Sequence, residues 1–160
     1  MQIIKDRRIV EDHWRRIDMD QPAGTGDIIV PLTRWQAERE ALIARTGQVG
    51  VLMAPDQPPE LIADDLAHLA LVAYEFPSFK DGRPYSHARL LRERHGYSGE
   101  IRAVGDVLRD QIFYMARCGF TAFEPRADRD IKDALAALGD FSQTYQPAAD
   151  QPLPLYRRRH

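Results

Sequence analysis

Residues 70–124, ALVAYEFPSFKDGRPYSHARLLRERHGYSGEIRAVGDVLRDQIFYMARCGFTAFE, decide the fold of this chain. They open on an apolar run, Ala70 to Tyr74, closed by Glu75-Phe76-Pro77. A polar loop (SFKDGRPYS) leads into a helical segment carrying Ala88, Leu90 and Leu91, which stops at Gly96. Ile101 to Val104 reads as the next strand, ended by Gly105-Asp106. From Val107 to Cys118, the residues Leu108, Ile112, Met115 and Ala116 recur at helical spacing, and Gly119 supplies the stop. Thr121-Ala122-Phe123 forms a further strand that ends at Glu124-Pro125. Apolar runs alternating with helical patterns predict parallel strands joined by right-handed crossovers.

The same alternation extends outward. Upstream, Val49 to Met53 is an apolar run, followed by Pro55, Pro58 and Pro59 and a helical pattern through Leu61, Ile62, Leu66 and Leu69. Asp27 to Leu32 (DIIVPL) predicts a short strand that Pro31 weakens, and Thr33 is a natural N-cap for a helix from Arg34 to Thr46. Residues 1–26 form a leader in which Ile3-Ile4 and Ile9-Val10 flank a polar KDRR turn, the pattern of a β-hairpin. Downstream, Ile131, Ala134, Leu135 and Leu138 mark a last helix, and residues 146–160 form a Pro-rich tail without periodicity. The expected organisation is one α/β domain over residues 1–145 with four or five βα units. A complete eight-unit barrel takes about 250 residues, so two forms remain: an open parallel sheet, or a partial (half) TIM-barrel-like sheet. The barrel-like form is preferred, with its exposed edges covered by the leader hairpin or by a second chain.

Composition narrows the function. The 160 residues are 44% hydrophobic and 29% charged, which suits a packed globular domain. Twenty-two basic against 24 acidic side chains give a net charge of -2, so there is no overall field to hold nucleic acid or an anionic membrane. The single Cys118 rules out an internal disulfide and fits a reducing compartment. The charged N-terminus has no apolar core of a secretory signal, and no stretch approaches the roughly 18 apolar residues of a membrane span. The expected location is the cytoplasm.

In either architecture a ligand site lies beyond the carboxyl ends of the strands. That rule selects Glu75, Lys80, Asp81, Gly82, Arg83, Tyr85 and Ser86 after one strand, with Arg89 on the following helix. It selects Gly105, Asp106, Arg109, Asp110 and Gln111 after the next, and Glu124 with Arg126 after the last. Three successive strands thus end in a carboxylate, while Lys80, Arg83, Arg109 and Arg126 supply positive charge. Such a rim fits a small polar or anionic molecule, because Arg forks bind oxyanions. A purely structural account also fits: Asp106 and Ser86 cap the following helices, Asp81-Gly82 makes a turn, and the other charges pair at the rim. Cys118 falls at a helix C-terminus, where the dipole disfavours a thiolate. The five histidines show no metal-ligand spacing, and GxGxxG, P-loop and GxSxG signatures are absent, so no metal or cofactor is expected.

The stretch from Glu75 to Glu124 resembles the bacterial domain-of-unknown-function family nine-three-four, and the leader hairpin and the helix near Trp35 look like that family too. Its members are described as oxidoreductases involved in sulfite reduction, a description that rests on gene neighbourhood. The resemblance therefore implies a pathway, assimilatory sulfur metabolism and cysteine biosynthesis, without a mechanism. Its densest motifs, Phe79 to Arg89 and Gly105 to Gln111, coincide with the two post-strand loops selected above. A chain without flavin, nicotinamide or haem-ligand motifs lacks the means to carry electrons itself. The expected function is an accessory or partner of sulfite reductase that uses Lys80, Arg83, Arg89 and Arg109 as interface contacts. The alternative is a small cofactor-independent enzyme or oxyanion-binding protein, with Arg83 and Arg109 holding the anion and Asp81 or Asp106 as acid or base. A homodimer whose loops close each other's barrel is a third possibility.

Overall fold

The structure, a computed structural model, describes residues 1–140; the Pro-rich stretch 146–160 lies outside the described residues. Residue patterns fix the strands. Ile28–Pro31 (β4), Val49–Met53 (β5), Leu71–Phe76 (β6), Glu100–Gly105 (β7) and Ala122–Phe123 (β8) pair in parallel and in chain order. Their near-continuous apolar runs are those of strands buried on both faces. The leader supplies Gln2–Lys5 (β1), Arg8–Glu11 (β2) and Arg15–Arg16 (β3). The hairpin β1–β2 forms as its sequence predicts, with Asp6 and Arg7 both at positive φ in the two-residue turn. The full sheet runs β2-β1-β8-β7-β6-β5-β4-β3, with β1 antiparallel to β8. The hairpin therefore covers the β8 edge, one of the two ways such an edge can be protected.

Among the described residues four helices, Leu32–Ala44 (α1), Arg83–Glu93 (α2), Arg109–Cys118 (α3) and Ile131–Asp140 (α4), contribute to the larger of two apolar clusters. That cluster joins Trp35 and Leu42 of α1, Leu91 of α2, Ile112 and Met115 of α3 and Leu138 of α4 to Val30, Val51, Tyr74, Phe76 and Ala103. The opposite, concave face holds Ile29, Leu71, Ala73 and Val104, with Trp14 and Leu52 packed against them. Period-2 alternation along each strand produces this split. The sheet curls into an open half-barrel. Arg16 on β3 and Glu124 after β8 lie five places apart in strand order, yet their side chains meet at 3.2 Å.

The concave face carries one unusual residue. Arg102, central on β7, is only 1% exposed and forms ion pairs with Asp12 at 3.0 Å and Glu100 at 2.9 Å. Desolvation works against the buried guanidinium, but Glu100 and Asp12 outweigh it and its pKa is raised. Lys5 adds a 3.3 Å contact to Glu100. The leader thus does two things: β1 extends the sheet, and Asp12 with Trp14 covers the interior surface that further strands would cover in a closed barrel.

Three local expectations change. The helical pattern through Leu61–Leu69 folds as two short 3-10 turns, Pro59–Leu61 and Ala63–His68. Pro58 and Pro59 break the entry, and Asp65 is pinned to α1 by the Trp35 indole N–H at 2.9 Å and by Arg39 at 2.6 Å. Thr33 does not cap α1: Pro31 ends β4 with φ already near the helical value, and the helix starts at Leu32. The segment from Val107 remains extended at Leu108, so α3 begins at Arg109.

Two outcomes test this arrangement. Replacing Asp12 with Ala leaves Arg102 buried with one carboxylate fewer, and urea unfolding is expected to show a loss of about 3 kcal/mol. Asp27 accepts the Gln48 N–H and a His13 bond, both at 2.8 Å, and these hold its carboxyl below the ordinary value. A depressed carboxyl stabilises the fold above its unfolded pKa and loses that contribution as pH falls through the folded one. Stability should therefore drop below about pH 4, and Asp27→Asn should flatten that part of the acid-unfolding curve.

Candidate functional site

Beyond the carboxyl ends of β6, β7 and β8 lie the segments 77–82, 106–108 and 124–130. Gly105 ends β7 at φ +94, and a Cβ there would sit 2.5 Å from the Phe76 carbonyl oxygen. Only glycine fits this close approach. The turn that follows places Asp106, whose N–H donates to Phe76 O at 2.7 Å. One Asp106 carboxylate oxygen accepts the Phe79 N–H at 2.8 Å, and the other accepts Arg126 at 2.9 Å. The Gln111 side-chain amide donates to Phe79 O at 2.8 Å. Both backbone polar groups of Phe79 are therefore held by side chains from the neighbouring loop and helix. The two sequence motifs are two halves of one latch.

The latch corrects the capping account. Asp106 is turned toward Phe79 and Arg126 and does not cap α3, whose preceding residue is Leu108 with no side-chain cap bond. Ser86 is exposed within α2 and does not cap it, since that helix begins three residues earlier behind Gly82, with Pro84 in its first turn.

Most of the selected cations are already neutralised. Arg83 clamps Asp81 through two bonds of 3.0 and 2.8 Å, which holds the Asp81 carboxyl below its usual range. Arg109 bonds Asp133 of α4 at 3.1 Å, and Arg126 forks between Asp128 and Asp106. Arg89 pairs with Glu93 at 3.6 Å. Arg83 and Arg109 thus each have a separate acid rather than facing a shared anion. Lys80 lies over the Phe79 ring at 5.8 Å. Glu75 is exposed on the same strand face as Leu71 and Ala73, and Asp110 is exposed on α3. Glu124 is mostly buried and belongs to Arg16.

An aromatic group stands beside the latch. Phe76 packs on Tyr85 at 5.4 Å, and Tyr85 meets Tyr114 edge-on at 5.0 Å. Burial pushes the Tyr85 hydroxyl up to about 12. Phe79 and Tyr114 remain exposed, at 42% and 46%. Cys118 lies beneath, fully buried; desolvation raises its thiol pKa despite Arg89 and Tyr114 close by. It is a poor nucleophile in this setting. Among the described residues no group of His, Cys, Asp and Glu could hold a metal ion, and no helix is long and apolar enough to cross a membrane.

A family model described as "Bacterial protein of unknown function (DUF934)" matches residues 50–156. The chain belongs to that family. The DUF934 match begins inside β5, so the hairpin, β4 and α1 lie before it, whereas both halves of the latch lie within it. No curated protein matches the chain. Sequence reasoning selected both latch loops but missed Arg16 and Asp133. Arg16 reaches Glu124 only because the sheet curls, across 108 residues of sequence, and no local pattern carries that information.

The latch predicts a local readout. Asp106→Ala removes the acceptor of the Phe79 N–H, and hydrogen exchange at that amide should accelerate about tenfold while the strand amides of β6 stay protected. Unchanged exchange would show that the Gln111 contact alone fixes the loop.

Proposed function

We propose that this DUF934 protein is an accessory of assimilatory sulfite reduction, without a redox cofactor of its own, that docks sulfite reductase or its electron donor through the face around Phe79. The carrying observation is the pair of exposed aromatic side chains, Phe79 and Tyr114, beside a loop whose backbone is fixed from both sides. Large aromatics at the centre of a contact with charged residues around it are the usual anatomy of a protein interface. Lys80, Arg83 and Arg89 provide that rim. Pre-fixing the loop lowers the ordering cost of association. The pathway itself rests on the resemblance of residues 75–124, whose members are described in terms of sulfite reduction. The reading with Arg83 and Arg109 as a shared oxyanion clamp draws less support, since each is already bonded to its own carboxylate.

Binding of the purified chain to the sulfite reductase of the same bacterium, followed by biolayer interferometry, tests the proposal. Phe79→Ala and Arg83→Glu should each weaken association about tenfold or more, the range of an interface anchor, with unfolding midpoints nearly unchanged. A deletion strain should grow poorly on sulfate and normally on cysteine. Absence of association, or association indifferent to both substitutions, would overturn the docking reading; equal growth on the two sulfur sources would remove the pathway.

A further inference from the structure

The leader hairpin protects the β8 edge by moving the open edge outward to β2. The sheet then ends on β3 at one side and on β2 at the other. β3 is two residues long, and its Arg16 is tied to Glu124. β2 has four residues in unbroken register, with neither the proline nor the bulge that commonly blunts an edge.

Its backbone phase follows from the turn. A two-residue turn with both central residues at positive φ closes on a hydrogen-bonded pair, here Lys5 and Arg8. Bonded and non-bonded pairs alternate along an antiparallel ladder, so Ile3 with Val10 is bonded and Ile4 with Ile9 is not. The Asp12 N–H donating to Met1 O at 2.8 Å has the same phase. Ile9 and Glu11 therefore turn their N–H and C=O groups away from β1. None of these four groups has a hydrogen bond among the described residues.

We propose that the β2 edge pairs with the β2 edge of a second copy of this chain, antiparallel about a two-fold axis at Val10. Such an axis stands normal to the sheet and keeps both concave faces on one side, so residues of like face must meet. Ile9 opposite Glu11 of the other copy satisfies that condition, since both side chains lie on the convex face. Every outward N–H and C=O of the two strands then has a partner. Charge selects the direction. Arg8 opens the strand, exposed and without an ion pair among the described residues, and Glu11 closes it, held by the Met1 ammonium at 3.2 Å. Antiparallel pairing sets the basic start of each strand toward the acidic end of the other, whereas a parallel strand would set like beside like. The edge thus resists an arbitrary strand and accepts its own copy. On the concave side the half-buried Val10 borders a hollow of about 340 Å³ that Ile3 and Trp14 also line, and Val10 of the second copy enters beside it. Neither Phe79 nor Tyr114 takes part, so the pairing stands apart from the docking reading.

Sedimentation velocity of the full chain across about 1 to 100 μM tests the pairing. A monomer–dimer equilibrium is expected, with hydrogen exchange at the Ile9 and Glu11 amides slowing as the dimer fills. Glu11→Pro removes an outward N–H that the hairpin does not use, so the fold should persist while dimerisation weakens about tenfold or more. Arg8→Glu keeps every backbone group and should weaken the dimer too; Arg8→Glu combined with Glu11→Arg should restore it. A monomer throughout the range would overturn the proposal. So would a dimer that Glu11→Pro leaves intact, or one whose Ile9 and Glu11 amides exchange as fast as in the monomer. Loss in Arg8→Glu without recovery in the double variant would overturn the antiparallel register.

Discussion

A half-barrel has an interior it cannot fill by itself, and the ion pairs of Arg102 with Asp12 and Glu100 hold the leader that covers it. A buried guanidinium is costly unless its partners are well placed. Here both partners are themselves buried, one from the same strand and one from the leader. Trp14 packs on the apolar residues beside them. Burying an apolar side chain without a specific partner would tolerate a shift in the leader's position; a charge that must be matched does not. The position of the leader then determines where β3 runs, and so where Arg16 meets Glu124.

The loops beyond the strands follow a similar logic on a smaller scale. Phe76, Gly105, Asp106 and Phe79 form a chain of close contacts in which each backbone group has an assigned partner. The side chains that hold the loop are therefore polar, and those that face outward are aromatic. This inverts the usual distribution and makes the exposed Phe79 a conspicuous surface group. Mobile loops pay an ordering cost on binding that a latched loop has already met.

Much of the architecture was legible because it depends on local pattern. The parallel core from β4 to β8 follows from apolar runs that alternate with helical spacing, and the hairpin follows from two short runs around KDRR. What escaped has a non-local or competing cause. Leu61, Ile62, Leu66 and Leu69 keep a helical period, but Pro58, Pro59 and the tether of Asp65 to Trp35 and Arg39 select 3-10 turns. Nothing local marks Arg102 as buried, because its partner Asp12 is 90 residues away. Two of the post-strand loops do meet, with Asp106 and Gln111 holding Phe79, while Arg83 and Arg109 are paired apart. Their roles could not be read, because whether Arg83 is a ligand or a partner of Asp81 depends on rotamers rather than on spacing.

The pairing of β1 with β8 has a consequence for the order in which the chain can assemble. Strands β4 to β8 lie side by side in the order they are made, so their contacts are short in sequence and form early. The first strand is the exception, since Ile4 sits beside Phe123. A two-stranded hairpin alone is only marginally stable in water. The hairpin is therefore made before the strand it must join and waits for β8. Until then the β1 edge is an unpaired template, the kind of edge that charged residues such as Lys5 and Arg8 at the turn make less prone to pair with another chain.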